Sequence, residues 1–269
     1  MGGSIIIHAF GCYFGLAASY HFSPYRAAGE QAHNNLSNHN SEIIALVGSI
    51  FLWMFWPSFN GALAADGAQQ NRVFCNTNLS IAAGCIGAAF VARLFYKKLE
   101  MTIIMNATLA GGVAIGTCSD IITTPAGSMW VGFIAGILSA VGFEKIGPYL
   151  ERKINLQDTC GVGSLHGMPG LLGGIASIFA VACVAGEFEK GYFPAMKTGT
   201  KTDQVLAQVY MILITFFFAG IAGYLTGFAC KTGMFGQPEV LFKDDDHMHD
   251  VVSRYPESFK DLSEDKKDD

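Results

Sequence analysis

Two histidines lie within long apolar stretches, where ionisable side chains are costly and are usually functional. His8 follows three isoleucines, and His166 lies in the glycine-rich segment GSLHGMPG at 163–170. A neutral imidazole offers one N–H donor and one acceptor nitrogen, so a histidine can make polar contacts while remaining uncharged. The two histidines are therefore candidate functional residues within apolar surroundings. A single buried histidine is more often structural, but two in similar contexts favour a function.

Glycines stand at equal distances from the two histidines. Gly3 and Gly161 lie five residues before them, and Gly15 and Gly173 lie seven residues after them. This match predicts that the histidines occupy equivalent positions in two structural repeats, as in many transporters. In a chain with 32 glycines the same spacing can also arise by chance, so the spacing leaves both readings open.

The elements that carry these histidines are predicted to be membrane helices. Of 269 residues, 51% are hydrophobic and 14% are charged, against about 25% charged in soluble domains. The composition excludes a disordered chain, a collagen-like chain and a disulfide-rich secreted domain. The net charge of −5 gives no basic surface for nucleic acid. Seven apolar stretches are long enough to cross a bilayer, at about 2–22, 42–65, 77–96, 102–122, 127–150, 160–186 and 204–232.

The chain divides into an apolar body, 1–242, and an acidic tail, 243–269. The tail holds ten acidic and five basic residues, which equals the net charge of the whole chain. This composition is typical of a disordered extension. Lys and Arg are concentrated in the loops on one side of the predicted helices, so we expect that side, and the tail with it, to be cytoplasmic.

Small residues within the helices predict close helix packing. Glycines recur four residues apart, a spacing that lets two helix backbones approach closely in lipid. The seven cysteines are scattered singly, which predicts neither a disulfide framework nor a metal site, and we expect no cofactor. His21, His33 and His39 are expected to be solvated loop residues rather than ligands. The glycine pairs are 11 and 15, 112 and 116, 132 and 136, and 223 and 227.

Five segments together resemble the ammonium transporter (Amt/Mep/Rh) family, in particular its Rhesus branch. The resemblance runs in order over about residues 2–240. The segments are HAFGCYFG at 8–15, FLWMFWPSFN at 51–60, NATLAGGVA at 106–114, DTCG with LHGMPG at 158–170, and FGQP at 235–238.

The resemblance implies a fold, a function and a set of site residues. It implies a homotrimer in a lipid membrane, expected to be the plasma membrane, in which two inverted helical repeats of each subunit surround a pore for ammonium or ammonia. His8 and His166 match the twin pore histidines, and Phe59 matches the inner member of a phenylalanine gate. Asp158 matches an acidic residue of the family, although a helix N-cap is an equal alternative. Asn60, Gly161 and Gly167 belong to the matched motifs and are expected to support the pore.

The resemblance begins in the family's fifth helix. The four preceding helices and the first phenylalanine of the gate have no counterpart in the sequence, so we expect a truncated fragment. The favoured function is an ammonium or ammonia channel, and the alternative is a non-conducting Rhesus-like structural or regulatory subunit. The presence of both histidines and Phe59 favours conduction. An enzyme is not expected, since an intramembrane hydrolase is not supported by an H-E-x-x-H pair, by paired membrane aspartates or by a Ser/His arrangement in the sequence.

Overall fold

The computed structural model describes residues 1–22, 35, 37–95, 100–183 and 200–231, and within these ranges the regular structure is helical. The acidic tail, the boundary at 242/243 and most of the linker after the first helix lie outside the described residues.

Seven helices follow one another along the described parts of the chain. Three of them contain a π turn, which holds one residue more than an α-helical turn. They are α1 (π turn Ser4–Ala9, then Phe10–Phe22), α2 (His39–Gly61), α3 (Gly67–Phe95), α4 (Met101–Ile115), α5 (Pro125–Ile154, with a π turn at Gly142–Ile146), α6 (π turn Gly163–Gly167, then Met168–Cys183) and α7 (Lys201–Lys231).

The predicted all-α membrane class is confirmed. Helices α2, α3, α5, α6 and α7 are each long and apolar enough to cross a bilayer, and α4 is a shorter apolar helix of 15 residues. Helix α4 lies at the centre of the bundle, against α2, α3, α5 and α6, and its residues from 107 to 115 are all buried. The outer helices α2 and α7 expose most of their apolar side chains.

Helix α3 begins at Gly67 rather than at the predicted residue 77, because the polar side chains of its first turns find buried hydrogen-bond partners. Asp66 Oδ1 accepts a hydrogen bond from the Gln69 backbone N–H (2.8 Å) at the start of the helix. Farther along, Gln69 Nε2 donates to Asp120 Oδ2 (3.0 Å), and Asn76 Nδ2 donates to the Ser119 carbonyl (2.7 Å). A sequence that looks like a polar loop therefore continues as a helix against the turn that follows α4.

Helix α4 ends at Ile115, earlier than the predicted 122, because a side chain from α1 enters its hydrogen-bond ladder. In a continuous α-helix the Thr117 N–H would donate to the Val113 carbonyl. Instead the Ser4 hydroxyl donates to the Val113 carbonyl (2.6 Å) and accepts from the Thr117 N–H (2.8 Å). Insertion of a side chain into the ladder is a recognised cause of helix interruption.

Glycines bring the helix backbones together, as predicted, at two of the four pairs, 132 with 136 and 223 with 227, whereas Gly112 packs against the Trp56 side chain and Gly116 against the Gly2 backbone. A Cβ on Gly136 would overlap the Gly84 carbonyl, where α5 crosses α3. A Cβ on Gly223 would overlap the Phe14 carbonyl, where α7 crosses α1. The prediction is wrong for the pair at 11 and 15, since open space surrounds both positions within 4 Å.

Candidate functional site

Each of the two apolar-segment histidines lies in a π turn that follows a left-handed glycine. Gly3 has φ +67° and precedes the π turn Ser4–Ala9, which carries His8. Gly161 has φ +65° and precedes the π turn Gly163–Gly167, which carries His166. A left-handed backbone favours glycine. The equal spacing seen in the sequence is therefore a local structural equivalence, and π turns are frequent at functional sites.

The equivalence does not extend to the glycines seven residues after the histidines. A Cβ on Gly173 would overlap the Ala114 carbonyl, so this position needs glycine for close packing of α6 on α4. Gly15 meets open space. The second half of the spacing match therefore does not reflect equivalent packing.

The structure brings the two histidine rings together. Their planes are parallel to within 1°, and their centroids are 5.2 Å apart. Nε2 of His8 and Nδ1 of His166 are buried, and neither finds a hydrogen-bond partner among the described residues. A buried polar atom without a partner is costly, so these nitrogens are available to a small polar molecule.

Two aromatic rings from α2 lie beside His8. The Trp56 indole is nearly parallel to the imidazole (13°) with centroids 5.7 Å apart. The Phe59 ring lies edge-on to the imidazole at 5.9 Å. Trp56 is 7% exposed and Phe59 is 46% exposed, so the indole is enclosed by other residues, whereas the phenyl ring lies at the surface of the described bundle. Trp56 was not predicted, although its position three residues before Phe59 places both rings on one helix face.

Asn60 is fully buried and does not contact the histidines through an observed hydrogen bond. Its Nδ2 donates to Thr77 Oγ1 (3.1 Å) and to the Gly112 carbonyl (3.2 Å), and thus joins α2 to α3 and α4. Its Oδ1 is buried with no partner among the described residues. A Cβ on Gly2 would overlap this oxygen. Asn60 therefore fixes the end of α2 that carries Trp56 and Phe59.

The Asp158 carboxylate caps the start of α6. Its two oxygens accept hydrogen bonds from the backbone N–H groups of Val162 (2.8 Å) and Gly163 (2.7 Å). Burial raises the pKa of this carboxyl, and the backbone N–H groups oppose the rise. The N-cap alternative stated for Asp158 therefore describes its observed contacts, which support the π turn that carries His166.

Gly167 lets α1 and α6 approach each other directly after His166. A Cβ there would come within 2.5 Å of Cys12 Sγ. The close approach brings α1, which carries His8, next to the helix that carries His166. Gly167 therefore acts in packing, beside the paired rings.

The prediction that His21 is a solvated loop residue is wrong. It packs against the ring of Tyr224 (4.3 Å) and lies 5.9 Å from the ring of Phe228, and its Nε2 is buried. It is not a solvated loop residue, because α1 continues to Phe22 and packs against α7. His39 is exposed as predicted, but it is the first residue of α2 rather than part of a loop, and His33 lies outside the described residues.

Comparison with known proteins matches a family model over most of the chain. The model described as "Ammonium Transporter Family" matches residues 1–249. Ammonium transporter Rh type B of Takifugu rubripes is 41% identical over 267 residues, which cover 95% of this chain and 58% of that protein. The protein of the same name from Homo sapiens is 40% identical over 260 residues, which cover 93% and 56%. The chain thus spans a little more than half the length of these relatives.

The chain also matches solved structures of Rhesus and Amt proteins. The structure titled "Nitrosomonas europaea Rh50 and mechanism of conduction by Rhesus protein family of channels" matches with a TM-score of 0.77 and 34% identity, covering 98% of this chain and 64% of that chain. A structure titled "Sensor Amt Protein" matches with a TM-score of 0.72 at 24% identity, which supports the fold alone.

Proposed function

The chain belongs to the ammonium transporter family, and on this premise we propose that it forms the twin-histidine part of a channel for ammonium or ammonia. The observation that carries the proposal is the parallel pair His8 and His166, each with a buried ring nitrogen that has no partner among the described residues. The sequence relatives carry the words "ammonium transporter" in their names.

The surroundings of the histidines favour a neutral permeant. Trp56 covers one face of His8, and apolar side chains such as Val113 and Ile81 cluster with it. A bare cation is expensive in such surroundings, because it gives up hydration that an apolar wall cannot replace. Ammonium must therefore release a proton before it passes, and ammonia crosses while the imidazoles provide hydrogen-bond contacts.

The other matched residues receive supporting roles in this proposal. Phe59 acts as an apolar constriction near the entrance of the proposed passage. Asp158 and Gly161 hold the π turn of His166 through its cap and its left-handed start. Gly167 and Asn60 bring the helices that carry the rings together.

Flux through liposomes tests the proposal. The chain is reconstituted, an ammonium gradient is imposed, and the internal pH is followed by an entrapped dye. Replacing His8 or His166 with Ala is expected to lower the rate by about tenfold or more, as is typical when a preorganised polar contact is lost. His39→Ala is the matched control, because His39 is an exposed histidine on α2.

Two outcomes contradict the proposal. A chain that folds but gives no flux above empty liposomes contradicts conduction by residues 1–269 by themselves, which is the result that the alternative, a non-conducting structural or regulatory subunit, predicts. Flux that persists unchanged in the His8→Ala, His166→Ala double variant shows that the permeant does not use the histidines.

The assembly and topology belong to the same proposal. We propose a homotrimer in a lipid membrane, expected to be the plasma membrane, with residues 1–242 in the membrane and the acidic tail 243–269 in the cytoplasm. Native mass spectrometry from detergent tests the trimer. Protease added to sealed right-side-out vesicles tests the tail, which should be cut only after the vesicles are opened.

A further inference from the structure

We propose that Ser4 is a positioning residue for His8, acting through a junction that ties both histidine helices to the end of α4. The proposal deepens the proposed function, since it rests on His8 being a residue that contacts the permeant. Ser4 does not touch His8 through an observed hydrogen bond. It acts by fixing the π turn from which the imidazole projects.

Ser4 makes two short hydrogen bonds to one turn of α4. Its hydroxyl donates to the Val113 carbonyl (2.6 Å) and accepts from the Thr117 N–H (2.8 Å). The residue is 0% exposed, so water cannot replace either bond. The Ser4 hydroxyl thus bonds to the Val113 carbonyl and to the Thr117 N–H, two groups that would bond to each other if α4 continued as an α-helix.

The same serine contacts the helix that carries His166. A Cβ on Gly173 would overlap the Ala114 carbonyl and lie 2.8 Å from the Ser4 hydroxyl. A Cβ on Gly170 would lie 2.6 Å from the Ser4 carbonyl. Both glycines follow His166 on α6. The first turn of α1, the end of α4 and the face of α6 therefore meet at Ser4.

The junction fixes one histidine relative to the other. Ser4 opens the π turn Ser4–Ala9, and His8 lies in that same turn. The other histidine helix begins with a different device, the Asp158 carboxylate. The centroids of the two imidazole rings lie 5.2 Å apart, and each ring projects from a π turn that is held by a different group. The Ser4 hydroxyl therefore controls the position of the His8 ring relative to the His166 ring.

The test compares Ser4→Ala with Ser139→Ala. Ser139 is also 0% exposed, but its hydroxyl has no hydrogen-bond partner among the described residues. Each variant is prepared with ¹⁵N-labelled histidine in lipid, and the ring nitrogen signals of His8 are assigned by their loss in His8→Asn. Ser4→Ala is expected to shift or broaden the His8 signals and to lower ammonium-driven flux by about tenfold. Ser139→Ala is expected to leave both unchanged.

A purely structural role has a different signature. If Ser4→Ala speeds amide exchange at Thr117 but leaves the His8 ring signals and the flux unchanged, Ser4 only ends α4, and the proposal is wrong. Should Ser4→Ala fail to fold, Ser4→Cys is slightly larger, fills the site and offers a weaker donor, and the same His8 signals decide. If the unaltered chain gives no flux, the proposed function fails, while the histidine signals still decide the role of Ser4.

Discussion

Replacing Asp158 with Ala is expected to loosen the π turn that carries His166. The carboxylate accepts hydrogen bonds from the N–H groups of Val162 and Gly163, at 2.8 and 2.7 Å. Alanine removes both acceptors and leaves two backbone donors at the partly buried start of α6. The perturbation is local, since the preceding helix α5 ends at Ile154.

The magnitude follows from the type of contact that is lost. Loss of an N-cap side chain costs about 0.5–2 kcal/mol, and a hydrogen bond to a charged group contributes about 1.5–3 kcal/mol. Partial exposure lets water replace part of the loss. We therefore expect a decrease of about 1–3 kcal/mol in the free energy of unfolding. Asp158→Asn keeps one acceptor oxygen and should lose about half as much.

Amide hydrogen exchange locates the effect. Exchange at Val162 and Gly163 should accelerate about tenfold for each 1.4 kcal/mol lost locally. Asp203→Ala is the matched control, because Asp203 caps α7 through the exposed Thr200 N–H (2.7 Å). It should accelerate exchange at Thr200 alone. Unchanged exchange at Val162 in the Asp158→Ala variant would refute the capping role.

The protonation of Asp158 gives a pH dependence with a defined sign. Burial raises the pKa of this carboxyl in the folded chain above its ordinary value. The folded chain therefore binds the proton more tightly than the unfolded chain does, and this contribution to stability decreases as the pH rises from the ordinary carboxyl pKa through the raised one. In Asp158→Asn the corresponding slope should disappear from stability curves measured across that range.

Two further predictions concern glycines. Gly136→Ala should lower the free energy of unfolding by about 1–3 kcal/mol, because the added Cβ meets the Gly84 carbonyl. The control is Gly220→Ala on α7, where the added Cβ meets open space and the change should be neutral or slightly stabilising. Equal thermal unfolding midpoints for the two variants would contradict this prediction. Gly161→Ala should cost at least about 1–2 kcal/mol, since φ is +65° and the Phe143 ring occupies the space, and unaltered stability in the same assay would show that the left-handed start is dispensable.

The sequence was sufficient to locate the helices but not all of their ends. Continuous apolar runs must form helices in hydrocarbon, because each backbone group needs a partner within its own segment. The end of α4 is set by Ser4, which lies 109 residues from Val113 in the sequence, and no local pattern reveals such a contact. The start of α3 was missed because Gln69 and Asn76 find buried partners beyond α4.

The candidate site was predictable where backbone conformation leaves a residue signature. The glycines five residues before the histidines mark the left-handed starts of both π turns, and this spacing was visible in the sequence. Trp56 carries no comparable signature, because an apolar aromatic on a membrane helix looks the same whether it faces lipid or a histidine. The spacing of Gly15 resembled that of Gly173, yet only Gly173 is tightly packed.

Because of the π turn at Ser4–Ala9, the direction of the His8 side chain can change without a change in the contacts of α1. The turn holds one residue more than an α-helical turn, so the helix from Phe10 onward does not require that residue for its own contacts. Deleting Ala9, which lies between His8 and Phe10, should close the turn into a regular α-helix while α1 keeps its face toward α7. The direction of the imidazole would then change by up to about 100°, the rotation per residue of an α-helix. A single-codon deletion can thus redirect the side chain while conserving the scaffold.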